Sequence, residues 1–318
     1  MKDSTQAHSY RHHLTPLLIR GGAVALLVFC MGNLACWVKH TVRVAVPSNI
    51  LKARTATLDE LVSLIDSNSV RIKSLSSQTL RVTFTSGKTE SGRLQVYTSV
   101  PGYILLRWPD DILMNIQNPL IKTTIVELLS AGDDFSLWLP SKNQFFKGKN
   151  STKEFASEGV SHDMEFTARP IHIFQAILPS KIPLDEQDVF IGMEESQDAG
   201  LKYYVVSVYR QEGAKRLRSD RKIWIERAGL TISRQVMYGD EGKISGVIKY
   251  SNPVIVEGVF LPLSIYIDRP LDGYSLDMQF KDWRVNPDLP ADAFVKTPPP
   301  GAQVVPLREK QRSEIPQK

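Results

Sequence analysis

The spacing of apolar residues changes along the chain, from a helical period near residue 58 to a strand period from residue 80 onward. Apolar side chains from Leu58 to Ile65 recur every three or four residues, which predicts an amphipathic helix with one buried face. Thr57 and Glu60 form a capping box, in which each side chain can hydrogen-bond the backbone amide of the other residue. We therefore expect the helix to begin at this box.

From Leu80 onward apolar and polar residues alternate, as they do in a strand that buries one face. Turn sequences rich in glycine, serine and aspartate separate these segments. Roughly ten antiparallel strands predict a curved sheet or an incomplete barrel, because a flat open sheet of that size is unusual. The expected strands cover residues 80–85, 93–97, 103–108, 125–129, 135–139, 203–210, 222–227, 231–238, 244–250, 263–267 and 275–283.

A second apolar segment, from Pro170 to Leu178, lies between the two groups of expected strands. It is strongly apolar and ends near Pro179, which predicts a short buried helix. Its place in the chain makes it a candidate lid over the concave face of the sheet. The predicted fold is therefore mainly β: an incomplete antiparallel β-barrel with an N-terminal helix and a short helical lid.

The N-terminal region combines a basic leader with an uncharged apolar run that ends at Cys36. Because Ala35 is small and Cys36 supplies a thiol, residues 1–36 have the layout of a bacterial lipoprotein signal peptide, with Cys36 as the lipidation site. The alternative is an uncleaved anchor, since Gly21 to Val38 is long enough to span a hydrocarbon core as a helix. Basic residues flank the run on both sides and leave its orientation open. The expected location is the outer membrane facing the periplasm, or alternatively an inner-membrane anchor with a periplasmic domain.

The composition argues against several other classes of protein. The chain has 318 residues and a net charge of only +5, and no basic stripe interleaved with aromatic residues is present, so no nucleic-acid partner is expected. Both cysteines, Cys30 and Cys36, lie in the leader region, which leaves the body without a disulfide or a thiol-based metal site. No cofactor and no metal are expected.

The candidate catalytic residues have simpler structural interpretations. Gly87 and Lys88 are similar to part of a phosphate-binding loop, but the glycine required five residues earlier is Val82, so a hairpin turn is expected. His162 lies in polar loop sequence and is expected to be solvated, whereas His172 lies in the apolar helix and is expected to pack there. The sequence therefore predicts a protein that is not an enzyme.

Three later segments carry family features. Gly102 to Trp108 is a predicted strand, Leu129 to Pro140 contains a Gly-Asp-Asp hairpin followed by Leu-Trp-Leu-Pro, and Asp288 to Gly301 ends in Pro-Pro-Pro-Gly. In this order, and together with the anchor, they resemble the LolA/LolB-like superfamily of bacterial lipoprotein-localisation proteins, in particular its lipid-anchored outer-membrane lipoprotein branch. The resemblance implies an incomplete barrel of about eleven strands, with helices over its mouth and an apolar cavity for acyl chains. The half-barrel domain is expected to cover residues 57–304, after a tether at 37–56 and before a polar tail at 305–318.

The lid is expected to differ from that of the soluble shuttle in this superfamily. The shuttle has a basic residue before the proline of a strand-linking turn, where it helps to hold the lid, but the residue before Pro101 here is Val100. We therefore expect a lid held by apolar packing alone, which opens with little dependence on pH.

Two functions follow from these observations. The first is a membrane-anchored cell-envelope lipoprotein that binds lipid or lipoprotein acyl chains in its cavity, with a role in lipoprotein localisation or outer-membrane biogenesis. The second is a non-enzymatic envelope scaffold or sensor module, whose core is filled by its own side chains and whose partner is another protein. The candidate cavity residues are Val82, Phe84, Leu94, Val96, Leu105, Leu137, Ile173, Phe174 and Ile177.

Overall fold

One β-sheet of fifteen strands organises the part of the chain that the structure describes. This computed structural model describes residues 53–87, 95–152 and 168–308. The signal peptide or anchor predicted for residues 1–36, including Cys36, lies outside these ranges. Among the described residues, no helix has both the length and the apolar character needed to cross a bilayer.

The strands form two consecutive groups, which are separated along the chain by the second helix. The first group contains β1 (Ser74–Ser86), β2 (Gln95–Arg107), β3 (Asp111–Gln117), β4 (Thr124–Ala131), β5 (Asp134–Leu139) and β6 (Gln144–Lys149). The second contains β7 (Val189–Asp198), β8 (Leu201–Gln211), β9 (Leu217–Glu226), β10 (Thr231–Tyr238), β11 (Ile244–Val256), β12 (Val259–Arg269) and β13 (Tyr274–Phe280). Two short strands, β14 (Arg284–Val285) and β15 (Gln303–Pro306), follow. The α-helices within the described ranges are α1 (Leu58–Arg71) and α2 (Pro170–Ile177).

The two groups join side by side into one open sheet. Its strand order is β15-β6-β5-β4-β3-β2-β1-β13-β12-β11-β10-β9-β8-β7, so β1 and β13 form the seam. All neighbours are antiparallel except β15, which runs parallel to β6. The sheet is long and does not close, and with its few helices it confirms the predicted mainly β, incomplete barrel.

The strand count exceeds the number expected because several strands lack a two-residue period. In β3 every residue from Ile112 to Ile116 is buried, so polar residues do not alternate with apolar ones there. The Asn115 side chain inside this run is satisfied by the Glu127 carboxylate, to which it donates at 3.0 Å. When a polar side chain is buried with such a partner, the strand no longer shows the alternation of apolar and polar residues by which it would be predicted.

The N-terminal helix α1 begins where the capping box predicts. The Thr57 amide donates to Glu60 Oε2 at 2.7 Å, and the Glu60 amide donates to Thr57 Oγ1 at 3.3 Å, which satisfies two of the free amides at the helix start. Leu61 and Ile65 are fully buried and pack with Val206 of β8. The apolar side of α1 therefore covers the second half of the sheet.

The second helix, α2, covers the first half of the same face. Ile173, Phe174 and Ile177 are buried in one cluster that includes residues of β3, β4 and β12. Directly paired residues on this side run from β1 to β11 and then from β11 to β8, and we call this side, which carries both helices, the concave face. These residues are Val82, Met278, Ile265, Tyr250, and then Ile248, Gln235, Ile223 and Val206.

The C-terminal boundary differs from the prediction. Residues 305–308 are not part of a polar tail, because Val305 and Leu307 are buried in the main core and β15 extends the sheet beside β6. Just before this strand the chain crosses the opposite, outer face, where Phe294 packs between Leu113 and Leu129. The C-terminal residues of the fold therefore pack on both sides of the sheet: Val305 and Leu307 in the main core, and Phe294 on the outer face.

Candidate ligand site

An apolar cavity of about 260 Å³ opens on the concave face in the gap between α1 and α2. Leu64 and Ser67 of α1 form one wall, and Ile177 and Pro179 at the end of α2 form the opposite wall. Strands β9 to β12 and their turns provide the floor. The floor residues are Glu226, Leu230, Thr231, Ile232, Ser233, Tyr250, Ser251, Asn252, Pro253, Phe260, Leu261 and Pro262.

A buried hydroxyl fixes the distance between α2 and the floor of this cavity. Tyr250 donates to the Ala176 carbonyl at 2.7 Å and accepts from Gln235 Nε2 at 2.6 Å. Burial raises the pKa of the Tyr250 phenol, so the hydroxyl keeps its proton and stays a donor. The carbonyl at the end of α2, which a helix leaves without an internal partner, is thereby satisfied.

The segment after α2 is tied to both sides of the cavity. Arg221, a buried residue of β9, donates to the Ser180 carbonyl at 2.8 Å, and burial lowers the pKa of its guanidinium. From α1, Asp66 accepts the Ile182 amide at 3.0 Å. These bonds connect both helices and the sheet through one short turn.

The other end of α2 is held by a polar cluster on the β12–β13 turn. The two ring nitrogens of His172 lie 3.0 Å from the Tyr274 hydroxyl and 3.0 Å from Arg269 Nη2. Asp272 in turn accepts from Arg269 Nε at 2.8 Å. Burial first, and then the positive charges of Arg269 and Arg169, hold the pKa of His172 well below its usual range.

This cluster overturns the expectation that the lid is held by apolar packing alone. His172 is packed in the helix as predicted, but it also serves as the centre of a hydrogen-bonded latch. A second contact reinforces the latch, since the Arg169 guanidinium donates to the Thr152 carbonyl. The sequence does not reveal this latch because His172 and Arg269 are 97 residues apart along the chain.

Six of the nine predicted cavity residues lie buried on the concave face. Ile177 lines the cavity of about 260 Å³, and Val82 and Phe84 line a second, smaller apolar cavity of about 100 Å³ near the start of β2. The remaining members, Leu137, Ile173 and Phe174, are packed in the core without lining either space. Leu94 lies outside the described residues.

The two other predicted residues, Val96 and Leu105, face away from the concave surface. Leu105 packs on the outer face with the Phe294 cluster, and Val96 is 54% exposed. The reason for the Val96 error is a register shift in the β1–β2 pairing, at which Ser99 adopts a left-handed backbone with φ 51°. Beyond this bulge Tyr97 takes the place beside Phe84 that strict alternation assigns to Val96.

Metal chemistry has no support in the part of the chain that the structure describes. No group of three or more histidine, cysteine, aspartate or glutamate side chains converges there in a way that could hold an ion. The cavity between α1 and α2 is an apolar space with hydrogen-bonded walls.

No protein-family model matches the sequence, and no curated protein matches it either. Among solved structures, a DUF1329 family protein from Desulfovibrio piger aligns with a TM-score of 0.50 and 14% identity, over 76% of this chain and 98% of that chain. A LolA superfamily protein from Nitrosomonas europaea aligns with a TM-score of 0.46 and 14% identity, over 76% and 99% of the two chains. A putative outer membrane lipoprotein-sorting protein domain from Vibrio parahaemolyticus aligns with a TM-score of 0.45 and 12% identity, over 74% of this chain and 95% of that chain. At identities of 12–14%, the likeness to these structures concerns the fold alone.

Proposed function

We propose that this protein is a non-enzymatic, membrane-anchored protein of the bacterial cell envelope that binds acyl chains of lipids or lipoproteins. The observation that carries this proposal is the apolar cavity of about 260 Å³ between α1 and α2. Such a protein suits a role in lipoprotein localisation or outer-membrane biogenesis. Its membrane attachment is the lipidated Cys36 that the sequence predicts.

The size and lining of the cavity favour an alkyl chain over a polar molecule. Its volume of about 260 Å³ lies just below the roughly 300–1,000 Å³ typical of small-molecule sites, which suits one chain better than a bulky ligand. Leu64, Ile177, Ile232 and Leu261 supply an apolar lining. Because each methylene moved from water into such a lining gains roughly 0.8 kcal/mol, even half of a long chain would bind appreciably.

An exposed apolar turn supports action at a bilayer surface. At the β3–β4 turn, Leu120 and Ile121 are 88% and 68% exposed. The Asn118 carboxamide accepts from both of their amides, at 2.9 and 3.3 Å, so the turn presents the two side chains in a fixed arrangement. Two adjacent apolar side chains on a rigid tip, followed by Lys122, suit shallow insertion at a lipid headgroup boundary.

One observation supports the scaffold alternative. Under α2 the concave face is filled completely, since Ile173 and Ala176 have no exposed surface and pack against Met114 and Leu128. If the remaining gap were also closed in solution, the sheet would have a filled core and its partner would be another protein. The two functions therefore differ in one measurable property, which is whether the folded protein takes up an acyl chain.

The test uses full-length protein purified from its own membrane and examined by native mass spectrometry, followed by titration with a fluorescent fatty acid. We expect a co-purified lipid and saturable probe binding. Ile232→Trp should fill the cavity and abolish probe binding without a loss of stability. The matched control is Ile191→Trp, which changes a partly buried residue of the concave face that does not line the cavity. A folded protein with neither lipid nor probe binding would support the scaffold.

A further inference from the structure

The sheet is interrupted between β10 and β11, directly beside the proposed acyl cavity. These strands pair from Arg234 opposite Lys249 as far as Tyr238 opposite Ile244. β10 begins earlier, at Thr231, but pairs there only with β9, and the part of β11 beyond Lys249 pairs only with β12. The two backbone edges therefore diverge and leave a slot in the sheet.

Local sequence explains why the pairing stops at this point. Asn252 adopts a left-handed backbone with φ 53°, and the next residue, Pro253, has no amide hydrogen to donate. On the other side of the slot, Ser233 lies in a register shift of β10, and its hydroxyl donates to the Trp224 carbonyl at 3.2 Å. Both edges are thus unable to continue a regular ladder.

The slot lies where two spaces meet through the sheet. The acyl cavity is on the concave side, and a polar groove of about 620 Å³ lies on the outer face. Glu226, Ser233, Tyr250 and Ser251 line both spaces. A chain-like molecule in the cavity can therefore extend through the slot, with one end inside and the other end in the groove.

The groove presents positive charge immediately outside the slot. Arg234 and Lys249 are directly opposite each other, at the last registered pair of β10 and β11. The Arg234 guanidinium lies 3.8 Å from the centre of the Trp224 ring, which holds it in a defined plane, and Lys249 lies near the Tyr266 ring. Neither cation forms an ion pair with any residue in ranges 53–87, 95–152 and 168–308.

Negative charge lines the same groove on both sides of this cation pair, on β9 and on β13. Glu226 borders the slot, and Asp277 lies opposite Tyr266 in the β12–β13 pairing. Within the described ranges these two carboxylates also have no ion-pair partner. A site that keeps both signs of charge separate and without partners is complementary to a ligand that carries both signs itself.

We infer that the ligand is a zwitterionic phospholipid with a primary amine, whose acyl chain lies in the cavity and whose head passes through the slot into the groove. Its phosphate lies against Arg234 and Lys249, and its ammonium lies against Glu226, the carboxylate that borders the slot. A purely anionic head would bring no partner for Glu226, and an uncharged head would pair with neither Glu226 nor the two cations. This inference rests on the proposed function, since it names the class of lipid that the same cavity holds.

The test is a competition on the full-length protein. The protein is incubated with mixed micelles that hold equal amounts of phosphatidylethanolamine and phosphatidylglycerol with identical acyl chains, and native mass spectrometry gives the ratio of the two bound lipids. We expect a preference of about fivefold or more for phosphatidylethanolamine. Arg234→Gln and Glu226→Gln should each reduce the ratio towards one, because each removes the partner of one head charge.

Two further measurements separate this inference from the proposed function. A fluorescent fatty alcohol, which brings no head charge to the groove, should bind Arg234→Gln and wild type equally. Arg284→Gln is the matched control, because it neutralises an exposed arginine of β14 away from the groove and should change neither measurement. Fatty-alcohol binding without a lipid preference, or with a preference for phosphatidylglycerol, would contradict the inferred head-group site and leave the proposed acyl site intact. Absence of any lipid or fatty-alcohol binding would contradict both.

Discussion

The hydroxyl of Tyr274 lies 3.0 Å from Nδ1 of His172, and this contact anchors the start of helix α2 to the β12–β13 turn. Arg269 reaches the other ring nitrogen, Nε2, at 3.0 Å. Because a guanidinium can only donate, Nε2 must accept, and the imidazole is neutral with its proton on Nδ1. Protonation of Nε2 would place a second donor against Arg269. The neutral ring is thus part of the latch, and acid is the condition that should release it.

The first prediction is a loss of stability in mild acid. Since the folded-state pKa of His172 is depressed, the unfolded chain binds more protons than the folded chain below about pH 6.5, and stability falls as the pH decreases through that value. The slope should approach roughly 1.4 kcal/mol per pH unit until the folded-state pKa is reached. Thermal unfolding from pH 8 to pH 5 measures it. In His172→Asn, whose amide can still donate to Tyr274, the slope between pH 6.5 and 5 should be smaller. Equal slopes in the two proteins would contradict the latch.

The second prediction concerns the other end of α2. Tyr250→Phe removes the hydroxyl that joins the Ala176 carbonyl to Gln235, and it leaves two buried polar groups without a partner. We expect a loss of roughly 1–3 kcal/mol in the free energy of unfolding, measured by urea denaturation. Tyr266→Phe changes a partly exposed tyrosine of the outer face and serves as the control, with a change below about 0.5 kcal/mol. Comparable losses in both variants would argue against the buried tie.

The third prediction distinguishes the observed β1–β2 register from strict alternation. Val82 is buried on the concave face, so Val82→Asp should cost more than about 3 kcal/mol or prevent folding. Val96 is exposed, and Val96→Asp should change stability and fatty-acid binding very little. Circular dichroism and probe titration of the two variants provide the comparison. If Val96→Asp folds but no longer binds the probe, Val96 does line the acyl site and the observed register is contradicted.

The fourth prediction concerns the anchor, which lies outside the described residues. If Cys36 carries the lipid, Cys36→Ser should abolish metabolic labelling with a fatty acid and leave an uncleaved precursor at the inner membrane. Cys30→Ser is the matched control and should be labelled and processed normally. Labelling that survives the change at Cys36, or that follows Cys30, would favour the uncleaved membrane anchor.

The features that were predictable from sequence are those encoded by neighbouring residues. The capping box at Thr57 and Glu60 requires only a three-residue spacing, and it forms as expected. The apolar helix that begins at Pro170 is equally local, since proline suits the first turn of a helix and the segment after it is continuously apolar. The β-rich character followed in the same way from the alternation in β1.

The features that were missed depend on contacts between distant segments. The bulge near Ser99 reverses which side chains of β2 face inward, and a two-residue period contains no signal for it. His172 meets Arg269 and Tyr274 only after the sheet has formed. The cavity itself arises where two helices leave a gap and β10 diverges from β11, so its lining could not be derived from hydrophobicity along the chain.

The central claim is that an acyl chain occupies the gap between α1 and α2, and photo-crosslinking tests it most directly. Full-length protein is irradiated with a fatty acid that carries a diazirine near its methyl end, and the labelled peptides are identified by mass spectrometry. The account predicts labels on residues 230–233 and 260–262, which line the cavity, and loss of these labels in Ile232→Trp. A correctly folded protein that is labelled only at the exposed Leu120–Ile121 turn, or not at all, would contradict it.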